Sequence, residues 1–357
     1  MAYLNLSKHK LKQNFQFLKN LFEEKDISWG AVSKIFCGNR LFLTELINLG
    51  VREIHDSRIS NLAMVKMINP DVQTVYIKPV SKQNIGKLVQ FADVSLNSEL
   101  KTIAWISEEA VSQGKHHKII IMVETGDLRE GVMGGHLVEF YSRVFELPNI
   151  EIIGLGTNLN CLNGIMPSTD KLIQLCLYKQ IIELKFDKLI PWISAGTSVT
   201  IPLMLTHQLP VGINHFRVGE TLYFGVNLVE ETVIEGMHGD VFELHVEIVE
   251  LHEKPLLPTG ILAPTPQGEV KEFDQNLFGK SSFRAIVDVG VLDIDPKYLI
   301  VKEESTEILG ASSDMIIINL GQNPNGYKVG DELSFNLKYM GALSLLNSNY
   351  VDKKLVD

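Results

Sequence analysis

The stretch Ala31-Val32-Ser33-Lys34-Ile35-Phe36-Cys37-Gly38-Asn39 joins a short apolar segment to a segment with helical spacing. Residues Ser28 to Ser33 predict a buried strand, and Gly38 interrupts the pattern. From Arg40 onward, leucine and isoleucine recur at the intervals of an amphipathic helix. The stretch therefore predicts one strand–helix unit, with Lys34 at the carboxyl end of its strand.

The same unit recurs along the chain, because strand and helix patterns alternate from residue 28 to about residue 225. This alternation predicts an α/β fold, a (β/α)8 barrel over residues 1–230, and an open doubly wound sheet is the alternative. The predicted strands are Trp29–Lys34, Glu53–Asp56, Gln73–Lys78, Asp93–Leu96, Lys118–Glu124, Glu151–Asn158, Lys188–Ser194 and Gly212–Arg217.

Beyond about residue 235 the pattern changes to short alternating segments separated by proline, glycine and asparagine. Such segments are typical of an all-β domain, which we expect over residues 231–357. The predicted strands of this domain are Val241–Leu251, Arg284–Val289, Glu307–Ile308, Met315–Leu320 and Glu332–Leu337.

The composition limits the possible partners and the compartment. A net charge of −10 without a basic block argues against nucleic acid or an anionic membrane as a partner. Residues Met1 to His9 lack the apolar run of a signal peptide, and no segment has the length of a membrane span. The three cysteines are too scattered for a disulfide framework or a metal site. We expect a cytoplasmic protein.

Lys34 is the first candidate for chemistry. An amine at the carboxyl end of a barrel strand, shielded from bulk water, can lose its proton and attack a carbonyl carbon. The alternative is a lysine that only ends a strand. In a barrel the functional side chains lie at the carboxyl ends of the strands, so the other strand ends decide between the two interpretations.

The seventh strand ends in Ser194-Ala195-Gly196-Thr197-Ser198, where a helix pattern begins. Glycine with serine and threonine at such a position offers backbone N–H groups and hydroxyls to a phosphate group. The alternative is an ordinary capped helix start. The eighth strand ends in Arg217-Val218-Gly219-Glu220, and barrels often build a phosphate site from these two loops together. A buried Arg217 needs an acceptor, which is either a ligand or a salt bridge to Glu220 or Glu124.

The sequence indicates several other candidate site residues less clearly. Arg129 follows the fifth strand on a glycine-bounded loop, which is either a site loop or a solvated charged loop. Asp293 and Asp295 have the spacing of a metal pair, although this spacing is more typical of a turn, and we expect no metal. His116 and His117 precede a strand, and we expect both to be exposed.

As a set, these positions resemble the alanine racemase fold, and more narrowly the alanine/ornithine racemase family. The features are a lysine on the first strand, an arginine after the fifth, a serine-containing glycine loop after the seventh, an Arg-x-Gly after the eighth, and a β domain. The resemblance runs nearly end to end. The similar stretches are Ser33–Gly38, Gly126–Gly131, Gly156–Cys161, Gly212–Glu220 and Ile308–Asp314.

The resemblance implies a pyridoxal 5'-phosphate (PLP) enzyme that racemises a free amino acid. It implies that Lys34 carries PLP covalently and that Arg217 faces the pyridine nitrogen, while Arg129 lies near the phenolate oxygen or the substrate carboxylate. The remaining implied cofactor-binding residues are Asn158, Ser194, Gly196, Thr197, Ser198, Gly219 and Glu220. An arginine, which stays charged, keeps the pyridine nitrogen unprotonated and favours racemisation over transamination. The family also implies a head-to-tail homodimer.

The sequence departs from alanine racemase where that enzyme has its second catalytic base, a tyrosine of the β domain. Val291 stands at this position, and the phosphate-binding tyrosine after the lysine is replaced by Cys37-Gly38. We name Asp293 as the candidate second catalytic residue, with Ser312, Ser313, Cys161 and Tyr339 as alternatives. A site with less aromatic bulk admits a longer side chain, and an acidic group such as Asp293 or Asp295 can bind a distal ammonium. These residues predict a basic amino acid as the substrate, and the family resemblance points to ornithine.

Four alternatives stay open at this point. The first is an alanine or broad-specificity racemase. The second is a non-catalytic PLP-homeostasis protein, a class that lacks a β domain. The third is a D-amino-acid lyase of the same fold, which normally carries zinc near its C-terminus, whereas residues 340–357 contain no histidine or cysteine. The fourth is a cofactor-free aldolase, in which the lysine usually lies on a later strand.

Overall fold

The computed structural model describes residues 2–264 and 272–357. The described chain divides into two compact units. One unit comprises residues 7–241 with the terminal Asp357, and the other comprises residues 2–6 and 242–356. Every helix of the described residues is too short or too polar to cross a lipid bilayer.

Strands and helices alternate through residues 3–233. The strands are β1 (Tyr3–Ser7), β2 (Ser28–Val32), β3 (Glu53–Asp56), β4 (Gln73–Tyr76), β5 (Val94–Asn97), β6 (His117–Glu124), β7 (Val132–Met133), β8 (Ile150–Gly156), β9 (Trp192–Thr197), β10 (His215–Val218), β11 (Val226–Asn227) and β12 (Thr232–Val233). The helices are α1 (Lys8–Glu24), α2 (Arg40–Asn48), α3 (Ile59–Ile68), α4 (Ile85–Phe91), α5 (Leu100–Ser112), α6 (Leu137–Val144), α7 (Thr169–Phe186), α8 (Ile201–Leu205) and α9 (Glu220–Phe224).

Eight parallel strands form a closed barrel in the first unit, in the order β5-β4-β3-β2-β10-β9-β8-β6, and pairing of β5 with β6 closes the ring. The predicted (β/α)8 barrel is confirmed, and the open doubly wound sheet is wrong. The register of β10 against β2 pairs Arg217 with Gly30 and Val218 with Ala31. The carboxyl ends of these two strands therefore lie side by side.

Local sequence explains the turn after the first barrel strand. Gly38 has φ +79°, and a Cβ there would lie 2.6 Å from Oδ1 of Asn61, so only glycine fits. Helix α2 begins next, and the side chain of Asn39 caps it by accepting a hydrogen bond from the N–H of Phe42 at 3.1 Å. This turn fixes where the chain leaves the barrel just beyond Lys34.

Helices cover the outside of the barrel with apolar side chains. One cluster joins residues of α3, α4 and α5 to β4, and its members are buried. They include Leu62, Tyr76, Ile85, Leu88 and Ile106. Burial of such side chains contributes about 1.5–3 kcal/mol each to the stability of the barrel.

Among its described residues, the second unit consists of antiparallel strands and one α-helix. Its elements are β13 (Phe242–Pro255), β14 (Ser281–Val287), β15 (Leu299–Val301), β16 (Glu307–Ala311), β17 (Ile316–Asn319), β18 (Glu332–Leu337), α10 (Tyr339–Asn347) and β19 (Asp352–Val356). The strand order is β15-β18-β13-β14-β17-β16, and β1 pairs with both β13 and β19. The predicted C-terminal β domain is confirmed, while β1 and α10 were not predicted from the sequence.

Candidate active site

Lys34 lies just beyond the end of β2, in a short 3-10 turn that spans Lys34–Phe36. The preceding Ser33 is buried, and it anchors the chain through its backbone N–H, which donates to the carbonyl of His55 at 2.8 Å. The lysine side chain is exposed, so the shielding from water that we expected from the sequence is absent in the described residues. The backbone is held firmly while the amine stays accessible.

A buried carboxylate holds the turn that carries Lys34. Asp56, at the end of β3, accepts hydrogen bonds from the Ser33 hydroxyl at 2.7 Å, the Arg58 N–H at 2.8 Å and the Asn61 side chain at 3.1 Å. Burial raises the pKa of Asp56, and the three donors oppose this rise. The sequence marked Asp56 only as a strand end, and the structure shows that it positions the neighbouring strand.

The end of β9 and the end of β10 are joined by one hydroxyl. Ser198 Oγ accepts hydrogen bonds from the N–H groups of Gly219, at 3.3 Å, and Thr221, at 3.2 Å. Because this oxygen accepts both, its own hydrogen can be donated to a ligand. Thr197 caps the turn that follows and forms a reciprocal capping box with Thr200. The expected pairing of the seventh and eighth loops is therefore present in the structure.

Gly196 lies where β9 packs against β10. A Cβ at this position would lie 2.1 Å from the ring of Phe216. No larger residue fits there without moving a fully buried aromatic ring. Gly196 therefore acts through packing, because it lets the two strand ends approach each other.

Arg217 is 6% exposed and points toward the neighbouring strand ends. Its guanidinium donates to the carbonyl of Ser194 at 2.5 Å, to the hydroxyl of Ser194 at 2.6 Å and to the carbonyl of Thr157 at 2.7 Å. Burial lowers the pKa of Arg217 to about 10, against the opposing charge of Glu130. In the described part of the chain, neither Glu220 nor Glu124 forms a salt bridge with it, which leaves spare N–H donors for a ligand.

A buried hydrogen-bond chain runs inward from Ser194, and no sequence pattern indicated it. Ser194 Oγ lies 2.7 Å from Nδ1 of His215, and Nε2 of His215 lies 2.8 Å from Oε1 of Glu53. The same carboxylate oxygen lies 2.5 Å from Nε2 of His55. Burial acts to raise the pKa of Glu53, and the two imidazoles outweigh it, so this pKa lies well below its usual range. Glu53 is thus a buried carboxylate ion.

Glu53, His55 and His215 also form the one group of metal-ligand type in the described residues. Metal bonds of about 2.0–2.2 Å hold neighbouring ligand atoms roughly 3.3 Å apart in a tetrahedral site. The observed separations of 2.5 and 2.8 Å are those of direct hydrogen bonds. The geometry is that of a hydrogen-bond cluster.

Arg129 lies on the loop after β6. Its Nε forms a 2.7 Å ion pair with Glu130, and its Nη1 contacts the sulfur of Cys161. Asp127 ties this loop to residues 161–165 by accepting four backbone N–H bonds at 2.9–3.3 Å. Burial acts to raise the pKa of Asp127, and these N–H groups hold it below its ordinary value. The backbone of this loop is therefore braced, while the side chain of Arg129 is exposed.

Two further candidates lie beside these strand ends. Asn158 is half-buried and follows Thr157, whose carbonyl accepts from Arg217. Glu220 is half-buried, and burial raises its pKa, while the charge of Lys34 acts to lower it. This electrostatic interaction indicates that Lys34 lies near the segment Arg217–Glu220. Arg129 belongs to it as well, because its charge acts on Arg217.

The candidates of the second unit lie in two adjoining loops. The N–H of Val291 donates to the carbonyl of Ser312 at 3.0 Å, and Asp293 accepts a 2.6 Å hydrogen bond from the Ser348 hydroxyl. Asp295 caps the turn that follows and pairs with Lys297 at 2.5 Å. The two aspartates thus have separate partners, which favours turn chemistry over a metal pair.

The expectation for His117 was wrong. His116 is exposed, but His117 is 1% exposed, and its Nε2 lies 2.8 Å from the hydroxyl of Ser95. Burial lowers the pKa of His117 to about 4. The residue is the first of β6 and faces inward, and the sequence did not reveal this because its neighbours on both sides are polar.

Comparisons with known proteins agree with the fold. Residues 6–227 match the family model for the alanine racemase N-terminal domain. The chain is 36% identical to an ornithine racemase of Acetoanaerobium sticklandii over 98% of both chains. It is 27% identical to a lysine racemase of Thermotoga maritima over 96% of this chain and 95% of that one. The fold is similar to that of an alanine racemase from Bartonella henselae with covalently bound pyridoxal phosphate, with a TM-score of 0.74, 16% identity and 99% of both chains covered.

Proposed function

The chain belongs to the alanine racemase family and is an amino-acid racemase, and from this premise we propose a PLP-dependent enzyme that interconverts L- and D-ornithine. The observation that carries the substrate assignment is the 36% identity to an ornithine racemase along nearly the whole chain. The match to a lysine racemase supports the same class, a basic amino acid with a distal ammonium.

The residues at the strand ends fit PLP. Lys34 offers an exposed amine that has no hydrogen bond or ion pair to any described residue, so it is available for covalent attachment. Ser198 offers a hydroxyl hydrogen, and Gly219 and Glu220 bring the backbone close, which suits a phosphate group. When bound, PLP stabilises negative charge at the Cα atom of its amino-acid partner.

Arg217 is proposed to face the pyridine nitrogen. A guanidinium only donates hydrogen bonds and stays charged, so the ring nitrogen opposite it remains an unprotonated acceptor. The three contacts to Ser194 and Thr157 leave donors to spare for this purpose. Such an arrangement limits how much charge the ring accepts and favours return of the proton to Cα over transamination.

Two groups are needed to move the Cα proton between faces. Lys34 is proposed to hold the proton on one face, and Asp293 is proposed to act on the other face or to bind the distal ammonium. Arg129, already oriented by Glu130, is proposed to bind the substrate carboxylate. Val291 in place of a bulky tyrosine leaves room for a longer side chain.

The active form is proposed to be a cytoplasmic homodimer. The dimer follows from the family resemblance. The location is supported by the three cysteines, which are all free thiols and suit a reducing compartment.

The test combines cofactor mapping with a substrate panel. Purified protein is incubated with PLP, reduced with borohydride and digested, and the labelled peptide is identified by mass spectrometry. We expect the label on Lys34, its loss in Lys34→Ala and its retention in Lys78→Ala, the matched lysine after β4. Chiral chromatography then measures racemisation of ornithine, lysine and alanine. A label on Lys78 excludes the proposed site, and alanine as the best substrate excludes the proposed specificity.

A further inference from the structure

We propose that Glu53 and His215 are positioning residues for Arg217, acting through the hydroxyl of Ser194. This inference rests on the proposed function, because it concerns how Arg217 is presented to the pyridine nitrogen. The residues lie on three barrel strands: Glu53 begins β3, His215 begins β10, and Ser194 lies in β9. Strand β10 pairs with β9, while β2 lies between β10 and β3. All three residues are less than 9% exposed.

The chemistry of the groups assigns the hydrogens along the chain. Arg217 can only donate, so Ser194 Oγ accepts its N–H at 2.6 Å. Ionised Glu53 can only accept, so Nε2 of His215 carries the hydrogen of their 2.8 Å bond. In neutral His215, Nδ1 is then an acceptor, and it takes the hydroxyl hydrogen of Ser194 at 2.7 Å. Every member of this chain is satisfied in one arrangement.

The direction of these bonds couples Glu53 to Arg217. Glu53 selects the tautomer of His215, and that tautomer turns the lone pairs of Ser194 toward the guanidinium. Without the carboxylate, His215 can carry its hydrogen on Nδ1, and Ser194 then loses the acceptor for its hydroxyl. Ser194 Oγ would then accept from both His215 and Arg217 with its hydroxyl hydrogen unpaired, so it no longer fixes the guanidinium in one orientation, and only the carbonyl contacts to Ser194 and Thr157 stay unchanged.

The rest of the environment keeps this chain rigid. Trp192 stacks on the ring of His215 with centroids 4.1 Å apart and an angle of 9° between the planes. The side chain of Gln73 donates to the second oxygen of Glu53 at 2.8 Å, and His55 donates to the first. A buried ion with several fixed donors has one orientation, which is what a positioning residue requires.

Stability alone does not account for such a chain. Burying a carboxylate is costly, and well-packed apolar residues of similar size are often as stable or more stable. The carboxylate also contributes negative charge that favours the charged form of Arg217. A carboxylate, an imidazole and a hydroxyl aligned on one guanidinium therefore point to a role in presenting that guanidinium.

The barrel offers a matched control. His117 is also buried and bonds the hydroxyl of a strand serine, Ser95, at 2.8 Å, but this pair has no contact with Arg217 among the described residues. Variants Ser194→Ala and Glu53→Gln test the chain, while Ser95→Ala makes the same deletion in the control pair. Ser194→Thr is the conservative variant, which keeps a hydroxyl at position 194.

The primary readout is the nitrogen NMR shift of PLP labelled with nitrogen-15 in its ring, bound to each variant without substrate. We expect an unprotonated ring nitrogen in the wild type, Ser95→Ala and Ser194→Thr, and a shift toward the protonated form in Ser194→Ala and Glu53→Gln. The second readout is the ratio of transamination, in which the amino acid leaves as its keto acid and the cofactor keeps the amino group, to racemisation. This ratio should rise about tenfold in the two chain variants, equivalent to about 1.4 kcal/mol.

The possible results distinguish failure of this inference from failure of the proposed function. If Glu53→Gln does not fold, Ser194→Ala, which removes one oxygen, carries the test by itself. Wild-type values of both readouts in Ser194→Ala overturn the inference, as does an equal change in Ser95→Ala. A protonated ring nitrogen in the wild type also overturns it, although Lys34 remains labelled. Failure of PLP to label Lys34 at all overturns the proposed function and this inference together.

Discussion

The hydroxyl of Ser33 donates a 2.7 Å hydrogen bond to the buried carboxylate of Asp56, and this bond ties the residue before Lys34 to the neighbouring barrel strand. Ser33 and Asp56 are both fully buried, so water does not compete for the contact. Lys34 is therefore presented by a fixed backbone, although its own side chain is exposed.

Asp56→Ala should destabilise the barrel and impair attachment of PLP. The substitution leaves the Ser33 hydroxyl, the Arg58 N–H and the Asn61 amide without their acceptor, at a cost of about 3 kcal/mol in free energy of unfolding. Urea titration measures the loss, and the rate of borohydride-trapped labelling at Lys34 measures the effect on the site. Labelling at the wild-type rate would show that Ser33 needs no anchor. Ser57→Ala, next in the chain, is the control.

Arg217→Glu should lower racemisation by roughly a hundredfold and raise transamination, because a carboxylate accepts the proton of a protonated pyridine nitrogen. The new side chain also faces the carbonyls of Ser194 and Thr157, so a lower melting temperature is expected. Keto-acid formation is followed beside chiral chromatography. Arg217→Gln serves if the glutamate variant does not fold. Unchanged racemisation in both variants would show that Arg217 has only a structural role.

Asp293→Asn should weaken the preference for basic substrates. A carboxylate that binds an ammonium is worth roughly 1.5–3 kcal/mol, so KM for ornithine should rise about ten- to a hundredfold, while KM for alanine changes little. Asp295→Asn is the matched control, because Asp295 pairs with Lys297. An equal rise for both amino acids would contradict a role in side-chain recognition.

The proposed dimer allows a second test of Asp293. Mixing Lys34→Ala subunits with Asp293→Ala subunits should restore part of the activity if the two residues of one site come from different subunits. Each variant alone should be nearly inactive. A mixture that stays as inactive as its components would show that both residues must come from the same chain.

The free energy of unfolding should fall as the pH decreases from about 6.5 toward 4, because the buried His117 stays unprotonated in the folded protein. Burial lowers the pKa of His117 from 6.5 to about 4, so the unfolded chain binds this proton first. The contribution is fully present above pH 6.5 and is lost progressively toward pH 4. Between pH 7 and pH 5 the loss is roughly 2 kcal/mol. Urea titrations of wild type and His117→Gln measure it, and equal pH slopes in the two proteins would contradict the assignment.

The succession of barrel strands along the chain and the polar residues at their ends were predictable from the sequence, because both depend on local patterns. The predicted bounds of β3 match the structure to the residue, and glycine marked the turn at Gly38. The predicted first strand extended to Lys34, whereas β2 ends at Val32, because Ser33 already has helical backbone angles. Short motifs around Lys34, Ser198 and Arg217 predicted a cofactor site through the family resemblance.

Only the tertiary structure decided which distant side chains meet. Glu53 and His215 are 162 residues apart, and their contact depends on the barrel closing with β3 and β10 on either side of β2. Strand β1 pairs with β13 more than 200 residues away, which no local pattern indicates. The burial of His117 likewise depends on tertiary contacts that no local pattern indicates. Periodicity states which face of a segment is apolar, but the partner of a polar side chain depends on strand register and closure, which are properties of the whole chain.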